Sequence, residues 1–262
     1  MQYGICLNSL AALREEASHK SQLVSQLLFG DLFEVIEKKD DWLYIITKFD
    51  NYCGWVAENQ VKLISDESFS EFIDQSAIIS GDIIQVLTNV SQNNSFLISA
   101  GSTMYGVNPE SFKILGDKYR YNGKLSIVDK SASQAVNNAM MFLNSPYLWG
   151  GRSSMGIDCS ALVQVAYKMT GIKLPRDSSV QVEEGFPIHL INEAQAGDLC
   201  FFSDFGSEEE EEAAIIHVGM LIDEHHIIHA HGNVRIDLID HNGIFSKDLK
   251  KYTHKLRLIK RV

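Results

Sequence analysis

The spacing of apolar residues changes near Ser131, and no other feature constrains the fold as strongly. Before this point, short apolar runs alternate with clusters of Gly, Asn, Asp and Ser, which is typical of small antiparallel barrels. After it come two segments with helical spacing and then several strand-like runs. The sequence therefore predicts the α+β class, with a mixed domain that follows two small β-barrels.

The chain of 262 residues is long enough for one catalytic domain and one or two smaller domains. We predict domains at 1–65, 66–128 and 129–262. The first contains the strand-like runs LVSQLLFGDLFEVI, DWLYIIT and GWVAENQVKLI, and the second contains IIQVL, SFLIS and MYGV. The two resemble each other in style, but no residue-level repeat relates them.

Two helices are expected at the start of the third domain. The segment SASQAVNNAMMFLN has apolar residues at helical spacing and is followed by Pro146. The second helix has Asp158 as its N-cap and Gly171 as its C-terminal stop. Cys159 therefore lies in the first turn of that helix. The runs GDLCFF, HVGMLI, HIIHAH and KLRLIKRV predict the strands that follow.

Charge and composition exclude several partners. The formal net charge is -11, so nucleic acid and anionic membrane surfaces would be repelled. No run approaches the roughly 20 apolar residues that span a bilayer. The first residues lack the basic segment of a signal peptide, so we expect a cytoplasmic protein unless an export signal has been removed. The four cysteines show no CxxC spacing, which favours free thiols, one of them reactive.

Cys159 is a candidate nucleophile because of its position. A helix N-terminus supplies partial positive charge and free N–H groups, and both favour the thiolate. The neighbouring Asp158 opposes this effect, so we expect an imidazolium close to the sulfur.

Strand parity identifies the imidazole. If HVGMLI and HIIHAH form a hairpin, His217 lies opposite His229 or His231, and all three share one face. His226 points to the other face. A nucleophile, a base and a polar group that orients the base can then meet at one place. The same histidines also suit zinc, although no pair lies in a helical ligand motif.

Several motifs, in the same order along the chain, resemble a known family. They are PYLWGG, GIDCSALVQ, LPRDSSVQ, AGDLCFF, HVGMLI and IIHAHG. Together they resemble the NlpC-type cysteine peptidases, papain-like enzymes that cut peptidoglycan peptides. The N-terminal part, ending in NYCGWVAENQVKLI, is similar to bacterial SH3-like domains. Two SH3-like domains before such a peptidase resemble the γ-D-glutamyl-L-diamino-acid endopeptidases of murein-peptide recycling.

The resemblance implies roles for particular residues. Cys159 would be the nucleophile, His217 the base and His229 the residue that orients it, since the IIHA context favours His229 over His231. Tyr147 would lie near the oxyanion hole with the backbone N–H of Cys159. No cofactor and no metal ion would be needed.

The resemblance also implies a murein peptide with a free N-terminal L-Ala as the substrate. Its ammonium needs an acidic pocket, and the residues implied for binding are Asp158, Ser160, Asp177 and Ser178. In the first SH3-like domain, Glu16 and Tyr52 would close the pocket against longer peptides.

Two other functions stay open at this point: a non-catalytic cell-wall-binding protein and a metal-dependent amidase that uses the histidines. Three features depart from the expected pattern. The acidic run Glu208 to Glu212 precedes His217, where it is expected to be a solvated loop. His231 stands where a small residue is expected, which would alter the substrate pocket. Cys53 and Cys200 are expected to be structural.

Overall fold

The computed structural model describes residues 2–106, 108–205 and 214–262. Within them the chain forms two compact units. The first comprises Met1–Ile127 with Trp149–Ser154, and the second comprises Val128–Leu148 with Met155–Val262. In the described ranges no helix is long and apolar enough to cross a membrane.

The N-terminal unit begins with a seven-stranded antiparallel sheet whose spatial order is β3-β2-β6-β5-β4-β1-β7. Its strands are β1 (Gln2–Ile5), β2 (Leu10–Arg14), β3 (Leu23–Leu28), β4 (Leu32–Lys39), β5 (Trp42–Thr47), β6 (Cys53–Ala57) and β7 (Lys62–Ile64). The turn at Gly30 and Asp31, predicted from the sequence, separates β3 from β4, and Gly30 has a φ of 83° that favours glycine. The strand runs predicted for this segment are confirmed.

The next segment starts with a helix that the sequence analysis did not predict. Helix α1 (Asp66–Asp74) is capped by Ser65, whose side chain accepts the Ser68 N–H. The strands that follow are β8 (Ala77–Ile79), β9 (Ile84–Asn89), β10 (Asn94–Ser99), β11 (Thr103–Tyr105), β12 (Phe112–Ile114) and β13 (Asp117–Tyr121). They form a four-stranded sheet, β10-β9-β13-β12, and a β11-β8 pair.

Arg152 ties the returning segment Trp149–Ser154 into this unit. Its side chain is 1% exposed, and Nη1 donates to the Gln26 carbonyl at 2.7 Å and to Asp31 Oδ2 at 3.2 Å. A charge buried in this way needs its carboxylate partner. Short strands β14 (Arg152–Ser153) and β15 (Gly156–Ile157) flank Ser154 and Met155.

The C-terminal unit packs helices on one antiparallel sheet. Its helices are α2 (Ala132–Met140), α3 (Cys159–Lys168) and α4 (Ser178–Gln181). Its longer strands are β16 (Phe186–Ile188), β17 (Leu199–Ser203), β18 (His217–Leu221), β19 (His226–His231), β20 (Asn233–Asp240), β21 (Gly243–Ser246) and β22 (Lys251–Arg261). The order is β16-β22-β17-β18-β19-β20-β21, and β21 also pairs with β22. The α+β class is confirmed.

Helix α3 is buried along its whole length, which fixes the position of its first residue. Every residue from Cys159 to Lys168 is buried, and the helix packs on β18 and β19 and against α2. Asn138 Nδ2 on α2 donates to the Ala166 carbonyl at 3.0 Å, and the Tyr167 hydroxyl donates to the Gly197 carbonyl at 2.7 Å. These bonds satisfy polar groups in an otherwise apolar interior.

Candidate active site

The N-terminus of α3 is formed as the sequence predicts. Asp158 is the N-cap, and its Oδ1 accepts the Ala161 N–H at 2.8 Å. Cys159 is the first residue of the helix, and Gly171 follows its end with a φ of 89°. The predicted place of the thiol at a helix start is confirmed.

The Cys159 sulfur lies against strand β18. It is 7% exposed and accepts hydrogen bonds from the backbone N–H groups of Val218 and Ser160. Val218 directly follows His217, so helix α3 brings the thiol to the first residues of β18. Burial raises the pKa of Cys159 to about 12, and the charge of Asp158 adds to this rise, against the backbone hydrogen bonds and Arg176. The predicted opposing effect of Asp158 is confirmed.

His217 and His229 form a hydrogen-bonded pair. His217 Nε2 lies 2.8 Å from His229 Nδ1, and both side chains are buried. The observed register pairs Met220 with Ile228, and its extension places His231 opposite His217. His229 is thus the diagonal neighbour of His217. The predicted common face of the three histidines is confirmed, since all three rings meet.

Gly219 makes the His217–His229 pair possible. It lies between His217 and Leu221 on the same face, opposite His229 in the extended register. A Cβ atom at this position would lie 3.0 Å from His229 Cβ and 2.7 Å from Ile227 Cδ1. The missing side chain leaves space for the His229 ring to reach the neighbouring strand.

Asp237 extends the pair into a chain that the sequence analysis missed. His229 Nε2 lies 3.1 Å from Asp237 Oδ2, and Asp237 also pairs with Arg235, whose Nε is 2.7 Å from Oδ2. Arg235 Nη2 reaches Asp248 at 2.8 Å. Since β20 pairs His229 with Arg235, strand parity places Asp237 on the same face. Parity applied to NVRIDLID would have found it.

The hydrogen bonds from Asp237 through His229 to His217 fix the tautomers of both histidines. Burial opposes the ionisation of Asp237, but hydrogen bonds from His229 and Arg235 outweigh it and lower its pKa. An ionised carboxylate only accepts, so His229 Nε2 carries the hydrogen. The neutral His229 ring then accepts at Nδ1 from His217 Nε2–H. The lone pair of a neutral His217 is therefore on Nδ1.

His217 is held in the neutral form. Burial lowers its pKa well below its usual value, and nearby His229, His254 and His231 lower it further. Burial likewise lowers the pKa of His229. Burial thus favours the uncharged form of both the thiol and the imidazole, and the imidazolium expected beside the sulfur stays a prediction.

His254 is a second residue that the sequence analysis missed. Its ring stacks on His217 with centroids 4.2 Å apart and planes at 22°, and it meets His231 edge-on at 5.0 Å. Burial, with His229 and His231, lowers the pKa of His254 to about 3. No local motif in KYTHKLRLIK marks this residue, because only the pairing of distant strands brings β22 to the site.

Tyr147, Asp158, Ser160 and Arg176 surround the thiol. Burial raises the pKa of Tyr147 to about 12, and the charges of Cys159 and Asp158 add to this rise. Arg176 Nη1 donates to Asp158 Oδ1 at 3.0 Å and to Ser160 Oγ at 2.8 Å. The guanidinium, which sequence reasoning did not select, thus balances the charge of the Asp158 carboxylate.

Asp177 and Ser178 lie directly after Arg176. Asp177 is exposed, precedes the short helix α4, and makes no side-chain cap bond there. Ser178 is half-buried. Gln181 on the same turn donates from Nε2 to the Ser160 carbonyl at 3.0 Å, which connects this segment to the start of α3.

Glu16 and Tyr52 lie in the N-terminal unit. Glu16 is exposed in the loop between β2 and β3, and its N–H donates to Ser21 Oγ at 2.9 Å. Tyr52 is half-buried against the core of the first sheet. Their role in closing a pocket stays a prediction. The acidic run Glu208 to Glu212 lies outside the described residues.

The other cysteines and possible metal ligands were also predicted from the sequence. All four cysteines are free, as predicted; Cys53 is exposed and the other three are buried. Cys200 lies in the core beneath the sheet, with Phe202 and Ile259. Among residues 2–106, 108–205 and 214–262, no three His, Cys, Asp or Glu side chains are arranged to hold a metal ion.

A buried cysteine at a helix start, next to paired histidines on an antiparallel sheet, defines the class of papain-like cysteine peptidases. Within that class, the C-terminal domain belongs to the NlpC/P60 family, whose model matches residues 144–254. A bacterial dipeptidyl-peptidase SH3 domain matches residues 13–61. The chain is thus a cysteine peptidase with an N-terminal SH3-like region, as the sequence motifs predict.

Curated relatives are similar to this chain over most of its length, and a solved structure shares its fold. The chain is 27% identical to the γ-D-glutamyl-L-lysine dipeptidyl-peptidase of Bacillus cereus, over 81% of this chain and 68% of the relative. It is 28% identical to dipeptidyl-peptidase 6 of Lysinibacillus sphaericus, over 76% of this chain and 80% of the relative. A crystal structure of an NlpC/P60 family protein from Bacillus cereus superposes with a TM-score of 0.82 at 21% identity, covering 99% of both chains.

Proposed function

We propose that this peptidase hydrolyses the bond between γ-D-Glu and an L-diamino acid in peptidoglycan-derived peptides that begin with a free L-Ala, as in murein-peptide recycling. The names of the relatives from Bacillus cereus and Lysinibacillus sphaericus support the substrate class. The observation that carries the catalytic assignment is made on β18. Its His217 is hydrogen-bonded to His229 at 2.8 Å, and the N–H of the next residue, Val218, donates to the Cys159 sulfur.

The proposed reaction begins from an uncharged thiol and imidazole. As the Cys159 sulfur attacks the γ-carbonyl carbon, its proton moves to His217 Nδ1, the nitrogen that carries the lone pair. His229 and Asp237 stabilise the imidazolium that forms, because the hydrogen bonds already point at it. His217 then protonates the leaving amine, and water releases the acyl group from the sulfur.

The Tyr147 hydroxyl and the Cys159 N–H would stabilise the tetrahedral oxyanion. The high pKa of Tyr147 keeps the phenol protonated, so that it can donate. An N–H at the first turn of a helix has no partner within the helix and remains a donor for substrate.

Recognition of the free amino end is assigned mainly to Asp177. Asp158 already pairs with Arg176, and the Arg176 charge offsets its attraction for an ammonium. Asp177 is exposed at the start of α4, with Ser178 beside it, and Ser160 adds a hydroxyl on the Asp158 side. A blocked amino end would leave the carboxylate without its cation.

The proposal is tested with L-Ala-γ-D-Glu-L-Lys and its N-acetylated form, with the products identified by mass. We expect free lysine from the first peptide and a loss of about 10- to 100-fold in kcat/KM for the second, since a charge-assisted hydrogen bond is lost. Asp177→Asn should remove most of this preference. Equal cleavage of both peptides by the parent protein would refute the amine pocket, and no cleavage of either peptide or of L-Ala-γ-D-Glu-diaminopimelate would refute the substrate.

A further inference from the structure

An open pocket in the C-terminal unit adjoins the histidine cluster. Its volume is about 710 Å³, within the range of small-molecule sites. The residues that matter for its chemistry are Asp204, Phe205, His231, Leu249, Lys251 and Tyr252. None of them is implied by the motifs that define the reacting groups, apart from His231, the residue that stands where a small one was expected.

His231 places this pocket next to the reacting groups. Its ring meets that of His217 at 6.5 Å and that of His254 at 5.0 Å between centroids. His254 follows the pocket residues Lys251, Tyr252 and Thr253 along β22 and stacks on His217. A group bound in the pocket would therefore lie beside the imidazole that is assigned to protonate the leaving amine.

The pocket combines two opposite charges with apolar surface. Asp204 directly follows β17, and Lys251 begins β22; both are exposed. Between them, Phe205 and Tyr252 meet with ring centroids 6.0 Å apart, and Leu249 is 58% exposed. The Tyr252 ring is held in place because its hydroxyl donates to Asp240.

We infer that this pocket binds the departing diamino acid, with Asp204 taking its side-chain ammonium and Lys251 its carboxylate. A diamino acid carries one cation and one anion joined by methylenes, and these match the two charges and the aromatic wall. This inference rests on the proposed function and adds the residues that select the third position of the peptide.

The test compares L-Ala-γ-D-Glu-L-Lys with L-Ala-γ-D-Glu-L-norleucine, which lacks only the ammonium. The parent protein should cleave the lysine peptide about 3- to 10-fold better in kcat/KM, as expected for a partly solvated ion pair. Asp204→Asn should abolish that preference, by lowering kcat/KM for the lysine peptide more than for the norleucine peptide. Lys251→Gln should weaken cleavage only of peptides with a free C-terminal carboxylate, compared with their amides.

Glu224→Gln is the matched control, since it removes an exposed carboxylate from the β18–β19 turn of the same unit. It should keep the preference for lysine. Equal cleavage of the lysine and norleucine peptides by the parent protein would overturn the pocket assignment and leave the proposed function intact. Failure to cleave either peptide would overturn both, so the two failures are distinguishable.

Discussion

At the scale of single residues, Asp237 determines which nitrogen of His217 can accept a proton. Its carboxylate binds His229 Nε2, and the hydrogen-bond directions then propagate through His229 to His217. The two histidines alone would allow either tautomer. A carboxylate two hydrogen bonds away from His217 thus prepares the imidazole for its proposed role.

The first prediction concerns Asp237→Asn. An amide can present its N–H₂ to His229 Nε2 and reverse the tautomers, so we expect kcat to fall about 10- to 100-fold with KM little changed. This is less than the roughly 10⁴-fold loss when such a carboxylate contacts the catalytic imidazole itself. Steady-state kinetics on the tripeptide would measure it. Asp248→Asn, which breaks only the outer link to Arg235, is the control and should cost far less; equal losses would argue against control of the tautomer.

Three residues of the candidate active site could be identified from the sequence, because local patterns mark them. Cys159 follows an N-cap residue, and strand parity places His217 with His229. Asp237 could have been found by extending parity to the next strand. His254 and Arg176 could not, because β22 and the loop before α4 reach the site only through tertiary packing.

At the scale of elements, the close approach of β18 and β19 controls the histidine pair. Gly219 gives His229 the space to reach diagonally across to His217. This dependence makes a residue without any functional group necessary for the proposed chemistry.

The second prediction is for Gly219→Ala. The new Cβ would lie 2.7 Å from Ile227 Cδ1 and 3.0 Å from His229 Cβ, which is fixed to the backbone, so β19 must shift and the His217–His229 hydrogen bond should be distorted. We expect kcat to fall at least about 10-fold, the equivalent of roughly 1.4 kcal/mol in the barrier, while the protein stays folded. Gly54→Ala in β6 is the control, since its nearest atom would be 3.3 Å away. Unchanged kcat for Gly219→Ala would show that the pair tolerates displacement.

The elements themselves were predictable to different degrees. Helix α3 has strong start and stop signals, and its predicted N-cap and end agree with the structure. Helix α1 was missed because DESFSEFID follows a strand-rich region and buries only Phe72. The first helix of the C-terminal domain ends at Met140, before Pro146, because the chain turns there through local 3₁₀-type bonds.

At the scale of the whole molecule, the buried histidines couple stability to pH. The native pKa values of His217, His229 and His254 are all lowered from 6.5, that of His254 to about 3. Below pH 6.5 the unfolded chain therefore binds more protons at these sites than the native protein does. Stability should fall as the pH decreases from 6.5 towards the native pKa values.

The third prediction follows from this linkage. The Tm of the C-terminal unit should be lower at pH 5 than at pH 7. Each buried histidine should lower the free energy of unfolding by up to about 1.4 kcal/mol per pH unit over this range below pH 6.5. Calorimetric scans at several pH values would measure it. His254→Phe keeps a stacked ring but removes one titrating group, so its Tm should depend less on pH. A Tm that does not change between pH 7 and pH 5 would contradict the lowered pKa values.

The predicted α+β class is confirmed, and residues 13–61 match a bacterial SH3 domain. The domain limits at 65 and 128 stay a prediction. The segment Trp149–Ser154 shows why such limits are hard to read from sequence. It overlaps the PYLWGG motif of the peptidase domain, yet the buried Arg152 belongs to the N-terminal unit through Gln26 and Asp31. Only the fold reveals where that charge is neutralised.

The most direct test of the central claim is to trap the acyl-enzyme. The parent protein would be mixed with L-Ala-γ-D-Glu-L-Lys, quenched with acid within the first turnover, and digested for mass spectrometry. We predict an L-Ala-γ-D-Glu adduct on the peptide that contains Cys159, and neither adduct nor hydrolysis in Cys159→Ala. Hydrolysis that persists in Cys159→Ala, or that a chelator abolishes in the parent protein, would contradict the thiol mechanism.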